Sequence, residues 1–307
     1  MTNVVVLDSL FASLDVEEQA ALEAGATLIR WDGDPASLAE ADVVAHVRTR
    51  VDAGLVSAMP RCRVISRFGS GIDTVELNAA REAGIAVVTV RHYCTRELAT
   101  HTLALASSLV RRLAETGSRH DSSWDEVAAA TPIRGYHRAT VIGLGAIGRS
   151  VAGALIALGY EVRAVTRRAT SVALDLGARP VDLEEGFALG DIVLLHTALD
   201  DTTAGLVDAR RLELMPPGAI LVNTARLRLL DEAAVAGALQ NGRLGGLALD
   251  AIVEPSSPLR QFDGDPRVLI TPHVGWYSEE SAARLRRAAI ADALTAFATA
   301  SEGAVRC

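Results

Sequence analysis

Residues 140–150 read Thr-Val-Ile-Gly143-Leu-Gly145-Ala146-Ile147-Gly148-Arg-Ser, three glycines spaced G-x-G-x-x-G. Few patterns narrow a fold as far. Gly143 permits a tight turn, Gly145 leaves the backbone bare for a phosphate, and Gly148 lets the next helix pack close to the preceding strand. The first turn of that helix then offers unpaired N–H groups to an anion. Alone the pattern is weak, because glycines also pack ordinary strand-to-helix turns. Its context carries it. A strand candidate precedes it, Ile147, Val151, Leu155 and Ile156 follow at helical spacing, and a second apolar run ends at Val165.

The same alternation runs along the chain. Val4–Leu7, Thr27–Ile29, Val43–Ala45, Val64–Ser66 and Ala86–Val88 read as buried strands, with helical spacing at Val16–Glu23, Ala53–Met59 and Val75–Ala83. A long helical pattern, Thr95–Arg112, interrupts them, and a polar stretch follows around Ser118–Asp125. Strand candidates then resume at Thr140–Ile142, Val162–Val165, Ile192–His196, Ile220–Asn223, Leu247–Leu249 and Val268–Ile270. Helices are expected at Ile147–Leu158, Asp208–Leu214, Glu232–Asn241 and Glu279–Ala298. Strands alternating with helices argue parallel βαβ units. The expected class is α/β, with two doubly wound, Rossmann-like parallel-sheet domains; 307 residues suit two domains of ordinary size.

Composition removes several functions. All 30 basic residues are arginine, so no lysine is present for a Schiff base, a P-loop or a lysine base. The net charge of −8 argues against nucleic-acid and anionic-membrane partners, which call for a basic face. Cys62, Cys94 and Cys307 are scattered and suggest neither a disulfide framework nor a metal site. No apolar run approaches the ~20 residues of a membrane span. A cytoplasmic protein with a small-molecule partner is expected.

The second strand of a dinucleotide fold commonly ends in an acidic residue that bonds the ribose 2′-hydroxyl. Here the chain reads Val165-Thr166-Arg167-Arg168, with two guanidiniums available for a 2′-phosphate. NADP is therefore favoured over NAD.

Three later features fall at the carboxyl ends of strands, where open α/β sheets bind ligands. They are Val222-Asn-Thr224-Ala225-Arg226, Ala248-Leu-Asp250-Ala-Ile-Val-Glu254-Pro and Ile270-Thr-Pro-His273-Val-Gly275-Trp276. Their types suit the reduction of a 2-oxo acid. Arg226 can hold the carboxylate and carbonyl with a forked contact. His273 can give the carbonyl oxygen a proton. Glu254 can bond the far imidazole nitrogen and fix the tautomer.

With these residues in order, the chain resembles the D-isomer-specific 2-hydroxyacid dehydrogenases over nearly its whole length. Arg67-Phe-Gly69-Ser70-Gly71-Ile-Asp73, Val193-Leu-Leu-His196-Thr197 and Met215–Arg226 add to the resemblance. Arg67–Asp73 and Pro272–Glu279 resemble the C-terminal-binding-protein branch, which includes corepressors. Val47-Arg48-Thr49-Arg50 resembles a substrate segment of phosphoglycerate dehydrogenases. The resemblance implies catalytic Arg226, Glu254 and His273. It implies a cofactor site of Thr102, Gly143, Gly145, Ala146, Ile147, Gly148, Thr166, Arg167, Arg168, His196, Thr197, Thr202, Thr224, Ala225, Arg226, Asp250, His273 and Gly275. It places the substrate carboxylate on the backbone N–H groups of Ser70 and Gly71, with Gly69 also in the substrate site and Trp276 lining the pocket. It further implies a discontinuous substrate domain, residues 1–95 plus 283–307, around a dinucleotide domain, 96–282, and a homodimer.

Three departures stand out. The Asp250–Glu254 spacing is one residue short of the family pattern. Leu227 and Arg228 replace two glycines, and Val90-Arg91-His92-Tyr93 replaces Val-Pro-Gly-Tyr. Arg48, Arg50, Arg91, His92 and Arg228 therefore gather cations beyond the catalytic set. This suggests a substrate with a second anionic group: phosphate, phosphonate or carboxylate. The alternative expectation is a nucleotide-sensing, corepressor-like binding protein.

Overall fold

The structure is a computed structural model that describes residues 1–119, 121–131, 133–167 and 170–301. The chain forms two compact units, Met1–Tyr93 with Ser278–Cys307 and Cys94–Tyr277.

The first unit holds a five-stranded parallel sheet of β1 (Thr2–Val6), β2 (Ala26–Arg30), β3 (Val43–His46), β4 (Val64–Arg67) and β5 (Ala86–Thr89). Its helices are α1 (Asp15–Glu23), α2 (Ala53–Ser57), α3 (Leu77–Glu82) and the last helix of the chain, Glu279–Ser301. The strand order is β2-β1-β3-β4-β5. The order reverses between β1 and β3, so the loops leaving these strands open at a topological switch point. All four residues of β3 are buried, as expected for a central parallel strand covered on both faces. Val5, Val44 and Ile65 enter one core with Leu38, Val56 and Met59. The last helix packs on β3, β4 and β5 and buries Leu285, Ala289, Ile290 and Ala293.

A buried charged contact fastens that helix to α1. Glu17 is fully buried. Its carboxylate accepts from Arg286 Nε at 2.9 Å and Nη2 at 2.6 Å. Arg286 also donates to Asp15 (2.8 Å) and to the Ser13 carbonyl (2.7 Å), and lies over the Phe11 ring.

The second unit is a seven-stranded parallel sheet of β6 (Arg138–Ile142), β7 (Glu161–Val165), β8 (Arg179–Pro180), β9 (Ile192–Leu195), β10 (Ala219–Asn223), β11 (Leu244–Asp250) and β12 (Val268–Thr271). Its order, β12-β11-β10-β9-β6-β7-β8, is the doubly wound dinucleotide-binding arrangement. The helices are α4 (Thr95–Val110), α5 (Leu113–Gly117), α6 (Trp124–Ala130), α7 (Ala146–Ala157), α8 (Thr170–Asp175), α9 (Leu183–Leu189), α10 (Ala209–Leu214) and α11 (Glu232–Gln240). Val193, Leu195 and Leu221 feed one core with Phe187 and Val235. Their neighbours Ile192, Leu194, Ile220 and Val222 feed a second core with Leu109, Val151 and Leu155. Both faces of the central strands are therefore apolar, and a helix layer covers each. No helix among the described residues is long and apolar enough to cross a membrane.

Breaking one side of the Glu17–Arg286 pair leaves a buried charge without compensation. Arg286→Ala is expected to lower the unfolding free energy by about 3–5 kcal/mol in denaturant titrations. The double change Glu17→Leu with Arg286→Met, which removes both charges, is expected to cost less than half of that.

Candidate active site

The glycine turn joins β6 to α7. Gly143 has φ +98°, and a Cβ there would lie 2.6 Å from the His196 carbonyl oxygen. A Cβ on Gly148 would collide with the Gly143 carbonyl oxygen. Gly145 caps α7, and a Cβ built on it would meet no heavy atom within 4 Å. The first-turn residues Ala146 and Ile147 follow it. Two glycines thus press the backbone together while the middle one leaves open space at the helix start. That combination fits a bound diphosphate.

Neighbouring strand ends supply the other expected cofactor residues. The Thr102 hydroxyl, on α4, bonds the Leu98 carbonyl and the Thr224 hydroxyl, each at 2.8 Å. The Ala225 N–H donates to the Asn223 side chain at 3.0 Å. His196 Nε2 is sealed from solvent without a hydrogen-bond partner, and burial pushes the ring's pKa down to about 4. Thr197 is half-buried. At the end of β7, Thr166 is half-buried and Arg167 exposed, with its Nη2 3.6 Å from Asp200 Oδ2. The Thr202 hydroxyl donates to the other Asp200 oxygen at 2.6 Å. Arg168 lies outside the described residues.

The second centre is Asp250, at the end of β11, whose side chain is 1% exposed. Its Oδ1 accepts from the Thr271 hydroxyl at 2.7 Å and from Val274 N–H at 2.8 Å. Its Oδ2 accepts from Gly275 N–H at 2.8 Å. Its backbone carbonyl receives His273 Nδ1 at 3.2 Å. A carbonyl only accepts, so Nδ1 carries the proton and Nε2 is the nitrogen left to exchange one. His273 is exposed and has φ +59°, a conformation rare outside glycine. Trp276 Nε1 donates to the His273 carbonyl at 3.1 Å, and Trp276 meets Tyr277 edge-on.

Arg226 follows β10. Its guanidinium donates to the Ala225 carbonyl at 2.9 Å, and its own carbonyl accepts from the Asn223 side chain at 2.8 Å. After it, Leu227 packs against the core while Arg228 is exposed. Glu254 does not meet the expectation that it bonds His273: its side chain is exposed, and the bond to the imidazole comes from the Asp250 carbonyl. The cause is local. Ala251 and Val253 are buried, so Ile252 and Glu254 alternate outward along the shortened segment. Sequence reasoning also missed His101, on α4, whose Nε2 lies 3.0 Å from the Thr271 hydroxyl and 3.8 Å from Asp250 Oδ1. Its only signal was a histidine directly before Thr102 on the same helix.

In the first unit, the loops leaving β3, β4 and β5 carry the expected substrate residues. The Asp8 carboxylate collects the N–H groups of Val47, Arg48 and Thr49 at 2.8, 2.6 and 3.3 Å. This fixes the loop while the Arg48 and Arg50 side chains remain exposed. His46 Nδ1 donates to the Thr49 carbonyl at 2.8 Å. Gly69 has φ +128°, and Ser70 and Gly71 follow it. Arg91 is exposed, and His92 takes φ +64° where the family commonly has glycine.

Residues 103–275 match the family described as D-isomer specific 2-hydroxyacid dehydrogenase, NAD binding domain. The chain is 33% identical over 266 residues to D-3-phosphoglycerate dehydrogenase of Mycobacterium tuberculosis, covering 82% of this chain and 50% of that one. It therefore spans about half the length of that relative. It is 33% identical over 259 residues to a putative 2-hydroxyacid dehydrogenase of Haemophilus influenzae, covering 80% of this chain and 81% of that one. In fold it is similar to D-lactate dehydrogenase from Aquifex aeolicus, solved with NAD and lactic acid, at TM-score 0.87 and 24% identity, covering 98% and 96% of the two chains.

The end of β3 brings a pH dependence with it. His46 is fully buried, and that burial, helped by the nearby Arg67 charge, pushes its pKa from 6.5 down to about 4. The native ring stays neutral while the unfolded ring takes up a proton below pH ~6.5. Stability is therefore expected to fall on acidification from about pH 6.5 toward pH 4, this residue contributing at most about 1.4 kcal/mol per pH unit. Denaturant titrations across that range should show a shallower slope for His46→Gln. Equal slopes would contradict the assignment.

Proposed function

The chain belongs to the D-isomer-specific 2-hydroxyacid dehydrogenase family, and from that premise we propose that it is an NAD(P)H-dependent reductase interconverting a 2-oxo acid and a D-2-hydroxy acid. The observation that carries the reading is the state of His273. Its Nδ1–H is committed to the Asp250 carbonyl, which leaves Nε2 to exchange a proton. In the protonated ring, Nε2–H is donated to the carbonyl oxygen as the acid is reduced, and in the reverse direction neutral Nε2 takes the hydroxyl proton. Arg226 holds the substrate carboxylate and carbonyl through its fork of donors and favours charge building on the oxygen. The Asp250 carbonyl performs the orienting task, and Glu254 lies outside it. Nicotinamide dinucleotide, when bound, supplies the hydride. The start of α7, with Gly143, Gly145 and Gly148, and the ends of β9 and β10 would hold it.

Two finer readings follow. NADP is the proposed preference, supported by Arg167 and by the lack of a carboxylate at the end of β7. The proposed substrate carries a second anionic group. Support comes from Arg48, Arg50 and Arg91, exposed cations on the loops after β3 and β5. A guanidinium that spends no charge on a protein carboxylate is available to a phosphate, phosphonate or carboxylate.

The test is the loss of reduced-nicotinamide absorbance with NADPH beside NADH, across glyoxylate, pyruvate, oxaloacetate, phosphohydroxypyruvate and phosphonopyruvate. Turnover is expected, fastest with NADPH and a doubly anionic acid. No turnover with any acid, despite tight nucleotide binding, would overturn the reading. His273→Gln is expected to lower kcat by roughly 10²–10⁴-fold. Glu254→Gln should cost at least about tenfold less than that, since its carboxylate bonds no catalytic group.

Replacing Arg48 and Arg50 by Gln tests the substrate class separately. The double variant is expected to raise KM for the doubly anionic acid by about tenfold or more, the loss of a charged hydrogen bond, while leaving KM for pyruvate unchanged. An equal rise for both acids would remove the second-anion reading and leave the reductase reading standing.

A further inference from the structure

We propose that His101 is a positioning residue for the proton-exchanging histidine, acting from α4 through Thr271 and Asp250. The inference rests on the reading of His273 given above.

The chain of contacts has a direction. Thr271 has a single hydroxyl proton, and its 2.7 Å approach to the Asp250 carboxylate assigns that proton there. The Thr271 oxygen can then only accept from His101, 3.0 Å away, so His101 Nε2 carries a hydrogen. The sequence of donors runs from His101 N–H to Thr271 O–H to the Asp250 carboxylate. Each bond polarises the next toward a charge that burial would otherwise penalise.

Asp250 in turn holds the His273 turn from two sides. Its carboxylate takes the N–H groups of Val274 and Gly275, and its backbone carbonyl takes the imidazole itself. His273 persists at φ +59° because these bonds over-determine the turn. The His101 ring is also a wall of that turn. A Cβ on Gly275 would lie 2.8 Å from His101 Cδ2 and 2.8 Å from Asp250 Oδ2. One side chain thus supplies both a donor to the hydroxyl that bonds the buried carboxylate and the surface against which the turn is packed. His101 bonds Thr271 and not His273, so its effect is on placement.

The experiment compares His101→Leu, which keeps apolar bulk and deletes the donor, with His101→Gln, which restores an N–H toward Thr271. For each, kcat and KM with the best 2-oxo acid, nucleotide affinity by fluorescence and amide exchange at Val274 and Gly275 are measured. His101→Leu is expected to lower kcat by about tenfold or more, the scale of a sub-ångström misplacement of a catalytic group. KM and nucleotide affinity should stay within about threefold, and exchange at the two amides should quicken. His101→Gln is expected to recover most of kcat and protection. His101→Met replaces the leucine variant if the latter fails to fold.

Wild-type kcat and wild-type exchange in His101→Leu would overturn the inference, as would a glutamine variant no better than leucine. If the wild-type protein reduces no 2-oxo acid, the reductase reading fails by itself. The exchange data then decide His101 independently.

Discussion

A carboxylate taken out of water must recover its lost hydration from fixed donors, and Asp250 shows how much structure that demand can organise. Its two oxygens collect one hydroxyl and two backbone N–H groups, all from the strand and turn that follow it on the neighbouring β12. The turn is consequently not free to relax, and a histidine sits in a backbone conformation that most side chains avoid. Local strain of this sort is stable only where several bonds agree on it. The exposed imidazole is therefore the visible end of an interior arrangement.

The two sheets reach function by a shared geometric route. In each, central parallel strands buried on both faces leave little chemistry in the interior. The polar residues accumulate where the strands run out at their carboxyl ends. In the second unit these ends deliver the glycine turn, Thr224 to Arg226, Asp250 and His273. In the first they deliver Asp8, the loop from Val47 to Arg50, the Gly69–Gly71 turn and Arg91. A carboxylate also rules a loop there: Asp8 takes three consecutive N–H groups. Arg48 and Arg50 are thus presented from a backbone already satisfied by an internal anion.

Much of this was legible beforehand because it rests on period and punctuation. The longer strands announce themselves as apolar runs, and α4, α7 and the last helix as apolar residues three and four apart. The glycine spacing identified the turn because each glycine answers a separate steric demand. Other parts left fainter traces. The two-residue β8 is too short to generate a period. Helix α6 begins at the end of the polar stretch around Ser118–Asp125 and was not expected. Its opening is a capping box of Ser123 and Glu126, a signal that was present and passed over. The misassigned partner of His273 is more instructive. Glu254 carries the expected residue type at nearly the expected place. Yet alternation with buried Ala251 and Val253 turns it outward. His101 was invisible for the opposite reason, since its partners are more than 140 residues away in sequence.

The path of the chain also sets an order of assembly. The second unit is continuous from Cys94 to Tyr277, whereas the first is opened by Tyr93 and resumed at Ser278. Glu17 can be neutralised in its buried position only after Arg286 has been made, 269 residues later. During synthesis the inserted unit is completed before the surrounding one, whose five strands are made first but whose last helix is made last. The five-stranded sheet, first to leave the ribosome, is thus the last to close, its β3–β5 face exposed until the final helix arrives. A chain paused after the Cys94–Tyr277 unit has emerged but before the final helix has would display a folded inserted unit tethered to an unfinished partner, a species suited to capture by chaperones that recognise bare apolar sheet.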